Sequence, residues 1–542
     1  MSVVSFLAAD ALPPPISGHT IAPNYVGFSM EEPCVARSPL VLSNGTPNPG
    51  LINLMNTLNN RTTSSFPFFL RIGGNSADNV WYAQTTGVEK GVNTTCVVDS
   101  NGMKNVSTFY SALAVPVKTS VGVNMAPTST NDQISMAVQY LKGAVLPNWK
   151  SEQFLGVELG NEPEDWVQGK IRPAKPYNIT TAYPTEWAAL ATGITSGLGQ
   201  PTQFVGPATS IGTSLGRSIL QSFLSTKPSV NPITLHYYAE NIKSSTDPKD
   251  LLQYPTDTTY SFLSTVHTPK YDFVLGETNS RSSGGTGGVS NVYAATLWTL
   301  DHLATSAWSG FKGAWFHGAV QGSTDKATSN VFVASAGGYS PIYVNLNDPT
   351  LINARPGFYA LLGFTRVLNW VGTAGIQIVR GGGAQVKVDA VRGVKYFAFV
   401  DPTVTSRWSA VIVNKNSTEV VIQFGPPTGF ATSLTGSVEL IQQTTGDISA
   451  VSGISIGGQT FDGTRDGFPV GLYNAAKISA SNSLYSVTVP AFSAALVFLG
   501  QPDPSNNAAA VSPGAQTTNR TSSAAKLGAF LMLTVVSFIF LF

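Results

Sequence analysis

The hydrophobic pattern of the chain changes character near residue 370. Before that point, short apolar runs bounded by Gly, Pro and polar clusters lie at residues 26–30, 67–72, 115–125, 154–159, 203–207, 233–238, 273–276 and 313–318, and each reads as a buried strand. Segments of helical periodicity lie between or after them, at 132–141, 185–198, 292–308 and 355–368. Strand alternating with helix predicts right-handed parallel units, and eight such units close into a (β/α)8 TIM barrel, an α/β fold with its site at the C-terminal strand ends. A doubly wound open sheet is the alternative, but no Gly-rich phosphate fingerprint follows an early strand, and Arg71-Ile72-Gly73-Gly74-Asn75 is too short for one. Beyond residue 370, short segments at 385–391, 396–400, 409–414, 420–424, 437–442 and 491–499 alternate between Gly, Asn, Pro and Thr clusters. That pattern predicts a C-terminal antiparallel β-sandwich domain.

The expected organisation is therefore a catalytic barrel over 12–370, of which the Pro-rich 12–24 is a candidate to pair with the sandwich, and the sandwich over 371–500. Residues 1–11 resemble a truncated signal peptide, with an apolar stretch and an Ala9-Asp10-Ala11 cleavage-like site but no basic n-region. A polar linker covers 501–526, and 527–542 is a hydrophobic tail with no basic segment after it. This is the layout of a GPI-anchor signal, favoured here over a short tail-anchor helix. Charged residues make up only 11% of the chain, far below the roughly 25% of an average soluble protein. Seven sequons, at Asn44, Asn60, Asn93, Asn105, Asn178, Asn416 and Asn519, offer glycans as the substitute source of solubility. The expected location is extracellular, secreted or anchored at the cell surface, with membrane contact only through the lipid. A net charge of +1 supplies no field for nucleic acid or a sulfated polymer. Cys34 and Cys96 are the only cysteines. They form one disulfide or remain as two buried thiols, and an oxidising compartment favours the bridge.

Two of the strands end in a carboxylic acid. The fourth leads into Gly160-Asn161-Glu162-Pro163 and the seventh into Gly276-Glu277. Across a barrel mouth these form a pair of the kind that hydrolyses glycosidic bonds, where retention needs carboxyl groups about 5–5.5 Å apart. Asn161 is placed to bind a sugar 2-hydroxyl and Tyr238, ending the sixth strand, to donate to Glu277. Glu31 and Asn75, just past the first two strands, are further hydroxyl-binding candidates. Trp315 and His317 on the eighth are candidates for the floor of a sugar site, or else a packed core Trp and a hydrogen-bonded structural His. The five His show no metal-ligand spacing, and nothing calls for a cofactor.

The set Arg71-Ile72-Gly73-Gly74-Asn75, Glu158-Leu159-Gly160-Asn161-Glu162-Pro163, His236-Tyr237-Tyr238 and Gly276-Glu277-Thr278-Asn279-Ser280 resembles glycoside hydrolase family 79, the β-glucuronidase and heparanase family, in its fungal form. The resemblance spans roughly residues 16–499. It implies a retaining clan A barrel with Glu162 as acid/base and Glu277 as nucleophile, removing terminal β-glucuronosyl or 4-O-methylglucuronosyl residues from glycans. Members of that family bind the sugar carboxylate with a Tyr and backbone amides after the nucleophile. Here the Tyr position carries Ser282, so Arg281 and the amide of Gly284 are the expected anion contacts. The alternatives are an exo-β-glycosidase for a neutral sugar and, from another class, a non-catalytic surface-tethered glycan-binding protein.

Overall fold

The computed structural model describes residues 16, 18–31, 40–59, 66–79, 81–82, 97–125, 129–169, 171–173, 177–239, 246–253, 257–323, 338–379, 393–464 and 466–501. Both cysteines, the leader, most of the linker, the apolar tail and the strand expected at 385–391 lie outside them. Eight strands form a closed parallel barrel: β1 (Val26–Glu31), β2 (Phe68–Gly73), β3 (Val117–Val123), β4 (Phe154–Leu159), β5 (Phe204–Ser210), β6 (Ile233–Tyr238), β7 (Phe273–Asn279) and β8 (Gly313–His317). Each is followed by a helix: α1 (Pro49–Leu58), α2 (Ser100–Ser111), α3 (Thr130–Tyr140), α4 (Ile179–Leu198), α5 (Ser214–Ser225), α6 (Asp257–Val266), α7 (Tyr293–Trp308) and α8 (Pro356–Val371). The TIM barrel expected from the alternation is the fold the chain adopts. Helices α1, α2, α5 and α6 were not expected from the sequence, although α1 buries the regular stripe Leu51, Leu54, Met55 and Leu58, α2 buries Met103, Val106, Phe109 and Tyr110, and α5 buries Ile219, Leu220 and Phe223. Local caps start three of them: Asn48, Asp99 and Thr213 each accept a hydrogen bond from a first-turn amide of α1, α2 and α5.

Alternation along the strands sorts their side chains into two sets. Val26, Phe28, Phe68, Leu70, Ile72, Ile233, Leu235, Phe273, Leu275, Ala314 and Phe316 point outward and join the core beneath the helices. The inward set is graded along the barrel axis. At the bottom Phe69, Leu155, Val205, Val274 and Trp315 form a separate apolar cluster. Trp315 fits there because Gly27 faces it: a Cβ on Gly27 would lie 2.3 Å from its ring. Trp315 is thus a fully buried plug of the barrel floor, the packed-core reading and not the sugar-facing one. Above it the inward positions become polar, with Ser29, Arg71, Glu158, Thr234 and His236, and above those come Glu31, Tyr238, Glu277 and His317. The chemistry therefore sits at the C-terminal strand ends.

A bulge places one of these groups. Between β6 and β7 the register slips from Leu235↔Leu275 to His236↔Glu277, so Gly276 is an extra residue. Leu275 points outward, and without the slip Glu277 would follow it; the bulge turns the carboxylate inward. Only glycine fits at the slip, since a Cβ on Gly276 would meet Thr234 at 2.9 Å. A second slip, between β5 and β6, surrounds Ala208, whose φ is 56°.

After β8, three short strands, β9 (Val320–Ser323), β10 (Ile342–Asn345) and β11 (Ile352–Ala354), form a small sheet before α8. The strands after α8 are β12 (Gln377–Val379), β13 (Val394–Val400), β14 (Arg407–Asn414), β15 (Val420–Phe424), β16 (Thr435–Gln443), β17 (Ile454–Ile456), β18 (Ala476–Ser479), β19 (Tyr485–Val489) and β20 (Ser493–Gly500). They make a sheet in the order β12-β13-β14-β20-β16-β17, with β18 also on β16, and a β15–β19 pair covering one face. Both faces of the larger sheet are buried. Val394, Tyr396, Ala398, Val497 and Leu499 meet the β15–β19 pair, while Phe397, Phe399, Val411, Leu496 and Phe498 join the barrel core. Near residue 21 the N-terminal segment makes an antiparallel bridge, Ile21↔Ile376, just before β12.

Helix α7 lies between barrel and sandwich and is buried along its whole length. Its N-terminus has no side-chain cap. The orphan amides of Tyr293 and Ala294 donate instead to the carbonyls of Ala450 and Ile448 in the sandwich. Asp301 of α7 meets Lys415, after β14, at 2.5 Å, and both side chains are buried. Removing one partner strands the other charge in an apolar interior, which costs about 3–5 kcal/mol. Lys415→Met should lower the unfolding free energy by that order in denaturant titration, and Lys415→Met with Asp301→Leu should recover most of it. Equal destabilisation in the double variant would show that packing, not charge, is at stake.

Candidate active site

A cavity of about 790 Å³ opens at the mouth of the barrel, lined by Glu162 and Glu277 among others. Glu162 follows β4 in a turn the sequence constrains tightly. Gly160 has φ 71°, and a Cβ there would lie 2.6 Å from the Trp166 ring. Glu162 is itself left-handed, at φ 42° and ψ 61°, a conformation that is uncommon outside glycine and costs about 1–3 kcal/mol. Its surroundings hold it there. The Glu162 amide donates to Ala208 O at 2.9 Å, and Pro163 starts a 3-10 turn whose Asp165 amide returns to Glu162 O at 2.9 Å. Beneath the turn, buried Asp78 accepts from the Asn161 and Met125 amides and from the Trp166 indole. Burial nevertheless pushes its pKa up to about 6.

Arg71 organises the opposite carboxylate. Fully buried, its guanidinium binds Glu158 through Nε, Glu277 Oε2 through Nη1 at 2.7 Å, and Asn161 Oδ1 through Nη2 at 2.6 Å. Burial opposes its charge, but Glu158 and Glu277 outweigh that and raise its pKa. The other oxygen of Glu277 accepts from the Tyr238 hydroxyl at 2.7 Å. Burial, and then the Glu277 charge, hold that phenol far above its ordinary pKa, so it stays a donor. Thr234 donates to the second oxygen of Glu158 at 2.6 Å.

Between the two carboxylates stands His236, with Nδ1 3.0 Å from Glu162 Oε1 and 3.9 Å from Glu277 Oε2. One carboxylate oxygen of each Glu and this nitrogen all lie within 4.8 Å of one another. Burial pulls the imidazole down to about 4, so it is neutral over most of the pH range. Its Nε2 is buried without a partner. A proton there would be an unsatisfied buried donor, so the favoured tautomer carries it on Nδ1 and donates to Glu162. These three groups are also a plausible donor set for a metal ion. Arg71 already balances Glu277, however, which weakens the attraction for a second cation.

His317 links Glu277 to the rim. Its Nδ1 is 2.9 Å from Ser29 Oγ and 3.6 Å from Glu277, and its Nε2 is 3.3 Å from Glu31. Burial opposes protonation, but Glu277 and Glu31 outweigh it and raise its pKa. Burial also works against the Glu31 carboxylate; hydrogen bonds from His317 and Ser76 prevail and hold it down at about 2. Gly74 makes this possible, since a Cβ there would touch the Glu31 carboxylate.

Of the residues expected to bind substrate, Glu31, Asn75, Tyr238, Gly284 and His317 line the cavity, with Ser282. Asn161 and Arg281 do not. Asn161 is only 3% exposed, and its side chain is engaged by Arg71 and by Asn75 at 2.8 Å. Arg281 is 4% exposed. Ser283 and Gly284, at φ 58° and 83°, bend the chain after Arg281, and Ser282, Ser283 and Gly284 line the cavity while Arg281 does not. Sequence reasoning missed the roles of Arg71, Glu158 and Glu164, although the first two are charges inside apolar strand runs, which are buried only when paired.

Glu164 lines the cavity beside the acid turn and is 5% exposed. It accepts from Thr209 Oγ1 at 2.7 Å and from the Ser210 amide at 2.5 Å. Burial, and then the Glu162 charge, push its pKa up to about 8. A carboxyl whose pKa is raised on folding favours the native state below its unfolded pKa, and that advantage fades as pH climbs toward the folded value. Glu164→Gln should therefore gain stability relative to the parent, by about 4 kcal/mol, as pH rises from 4 to 8. A pH-independent difference in denaturant midpoints would refute the raised pKa.

No protein-family model and no curated protein matches the sequence. Solved structures do match the fold. A 4-O-α-L-rhamnosyl-β-D-glucuronidase from Fusarium oxysporum, solved with Rha-GlcA, is 17% identical with a TM-score of 0.59, covering 90% of this chain and 99% of that one. A family 51 α-L-arabinofuranosidase from Bifidobacterium longum is 13% identical with a TM-score of 0.57, covering 91% and 98%. The catalytic domain of GH30 xylanase C from Talaromyces cellulolyticus is 15% identical with a TM-score of 0.51, covering 90% and 99%.

Proposed function

We propose that the protein is a retaining β-glycosidase of glycoside hydrolase family 79 type, removing terminal β-glucuronosyl or 4-O-methylglucuronosyl residues from glycans. The observation that carries this is the approach of Glu162 and Glu277 oxygens to within 4.8 Å, near the separation of about 5–5.5 Å that leaves no room for a water between acid and nucleophile. The fold it shares with several glycosidases adds to the case, and one of those is a β-glucuronidase.

In this mechanism Glu277, charge-balanced by Arg71 and oriented by Tyr238, attacks the anomeric carbon while Glu162 gives its proton to the departing oxygen. An ester to Glu277 forms and the free alcohol leaves. Glu162, now a base, takes a proton from water as that water attacks the same carbon, and the sugar departs with its configuration retained. His236 fixes one Glu162 oxygen, so the proton moves on the other. The glucuronate carboxylate would meet His317, the Gly284 amide and the hydroxyl of Tyr339, a further residue of the cavity lining, in place of Arg281. The expected extracellular setting belongs to the same proposal, and Asn44, Asn105 and Asn178 are exposed for glycans.

One observation favours a neutral sugar instead. Among the described residues lining the cavity are five carboxylic acids, Glu31, Glu162, Glu164, Asp165 and Glu277, and no Lys or Arg. Chromogenic β-glucuronide, β-glucoside, β-galactoside and β-xyloside separate the two. Glucuronide turnover is expected, with the β-anomer appearing first by NMR. It should vanish in Glu277→Gln and fall about 10²–10⁴-fold in Glu162→Gln on substrates with poor leaving groups. A neutral glycoside preferred over the glucuronide would replace the sugar but keep the mechanism; first appearance of the α-anomer would overturn the mechanism.

A further inference from the structure

The mechanism proposed above uses inward-facing residues of β6 and β7 and leaves a buried hydroxyl and a buried imidazole behind them without a role. Beyond the bulge the two strands pair His236 with Glu277, Tyr237 with Thr278 and Tyr238 with Asn279. His236, Tyr238 and Glu277 point into the barrel, so alternation turns Tyr237 and Thr278 outward, toward α7. There the Thr278 hydroxyl donates across the strands to the Tyr237 carbonyl at 2.7 Å and meets Nε2 of His302, on α7, at 2.9 Å. A hydroxyl has one proton to give. With that proton on the Tyr237 carbonyl, Thr278 accepts from His302, which fixes the imidazole as the Nε2–H tautomer and orders a chain from His302 through Thr278 to Tyr237. Burial, opposed only in part by Asp301, pulls the imidazole down to about 3, so it stays neutral in that tautomer.

The chain has a rigid origin and a sensitive end. The His302 ring stacks on Trp298 at 4.6 Å and 10° and on Tyr237 at 5.8 Å and 24°. Helix α7 is buried along its whole length, and its first amides and Asp301, the residue before His302, are tied to the sandwich. At the other end, the slip at Gly276 interrupts the strand ladder one residue before Glu277, where regular pairing holds the backbone least. Thr278 directly follows Glu277. Tyr237 joins His236 to Tyr238, the two residues of β6 that hydrogen-bond Glu162 and Glu277.

Resting on that mechanism, we infer that Thr278 and His302 are positioning residues for the nucleophile, clamping the bulged strand ends so that Glu277 and its donor Tyr238 keep one placement. Neither lines the cavity, so both act through Glu277 and not on the substrate.

The test uses the full chain and whichever of the four chromogenic glycosides the parent hydrolyses fastest, with kcat expressed per folded protein and unfolding midpoints measured alongside. Thr278→Val leaves the His302 donor buried without its acceptor and should be destabilised; Thr278→Val/His302→Phe removes both polar groups, keeps a ring against Trp298 and should regain stability. Displacement of a reacting group by about 1 Å costs on the order of 100-fold, so kcat should fall about 10–100-fold in both variants with KM nearly unchanged. Thr278→Ser, which keeps the hydroxyl, should retain most of the parental kcat. If kcat recovers together with stability in the double variant, the two groups serve only to satisfy each other and the inference is overturned. A parental kcat in Thr278→Val, or a Thr278→Ser as slow as Thr278→Val, overturns it as well, and each of these results leaves the mechanism standing. A parent that turns over none of the four glycosides overturns both proposals.

Discussion

One buried guanidinium carries the interior of the barrel. An isolated charge at the position of Arg71 would be prohibitive, and so would either carboxylate it touches. Together Arg71, Glu158 and Glu277 leave one net negative charge spread over a hydrogen-bonded set that also includes Ser29, Thr234, Tyr238 and Asn161. Such sets rarely add stability over a well-packed apolar core. What this one does is fix position: three strands and the acid turn present their groups to a single planar fork, so that Glu277 has one orientation and Asn161, just before Glu162, is tied to the same cation.

The two carboxyls of the pair are supported differently. Glu277 is held by direct contacts from a cation and a phenol. Glu162 depends on backbone shape: a left-handed glycine before it, its own left-handed dihedrals, and a bulged strand whose carbonyl receives its amide. His236 faces both. Its neutrality matters, because a cation at that point would favour ionised forms of both groups, whereas the proposed chemistry needs one of them to hold a proton.

Much of this was legible in the sequence, and the limits have physical reasons. The strands showed because burial on their outer faces makes them apolar runs, and four of the helices showed because their faces are continuous. Of the other four, α1, α2 and α5 carry equally regular apolar stripes, set among Gly, Ser and Asn. Both carboxylates showed because each follows a Gly at a strand end. Parity defeated the side chains: Trp315 and His317 are two residues apart and point the same way, yet one lies in the dry floor and the other beside Glu277. Arg281 is adjacent to residues that reach the cavity and does not reach it. A linear pattern gives alternation, but it does not give depth along the barrel axis, nor the turn that buries one residue of a loop.

The larger sheet of the sandwich is apolar on both faces, and one of those faces completes the core around α7 and α8. The carbonyls that satisfy the first amides of α7 also come from the sandwich. The boundary near residue 371 is therefore a change of architecture but not a seam. A barrel cut there would expose a helix that is buried all round and strand the charge of Asp301, and the C-terminal module could not be exchanged like an appended binding domain. In evolution, the two halves would have to vary as one unit.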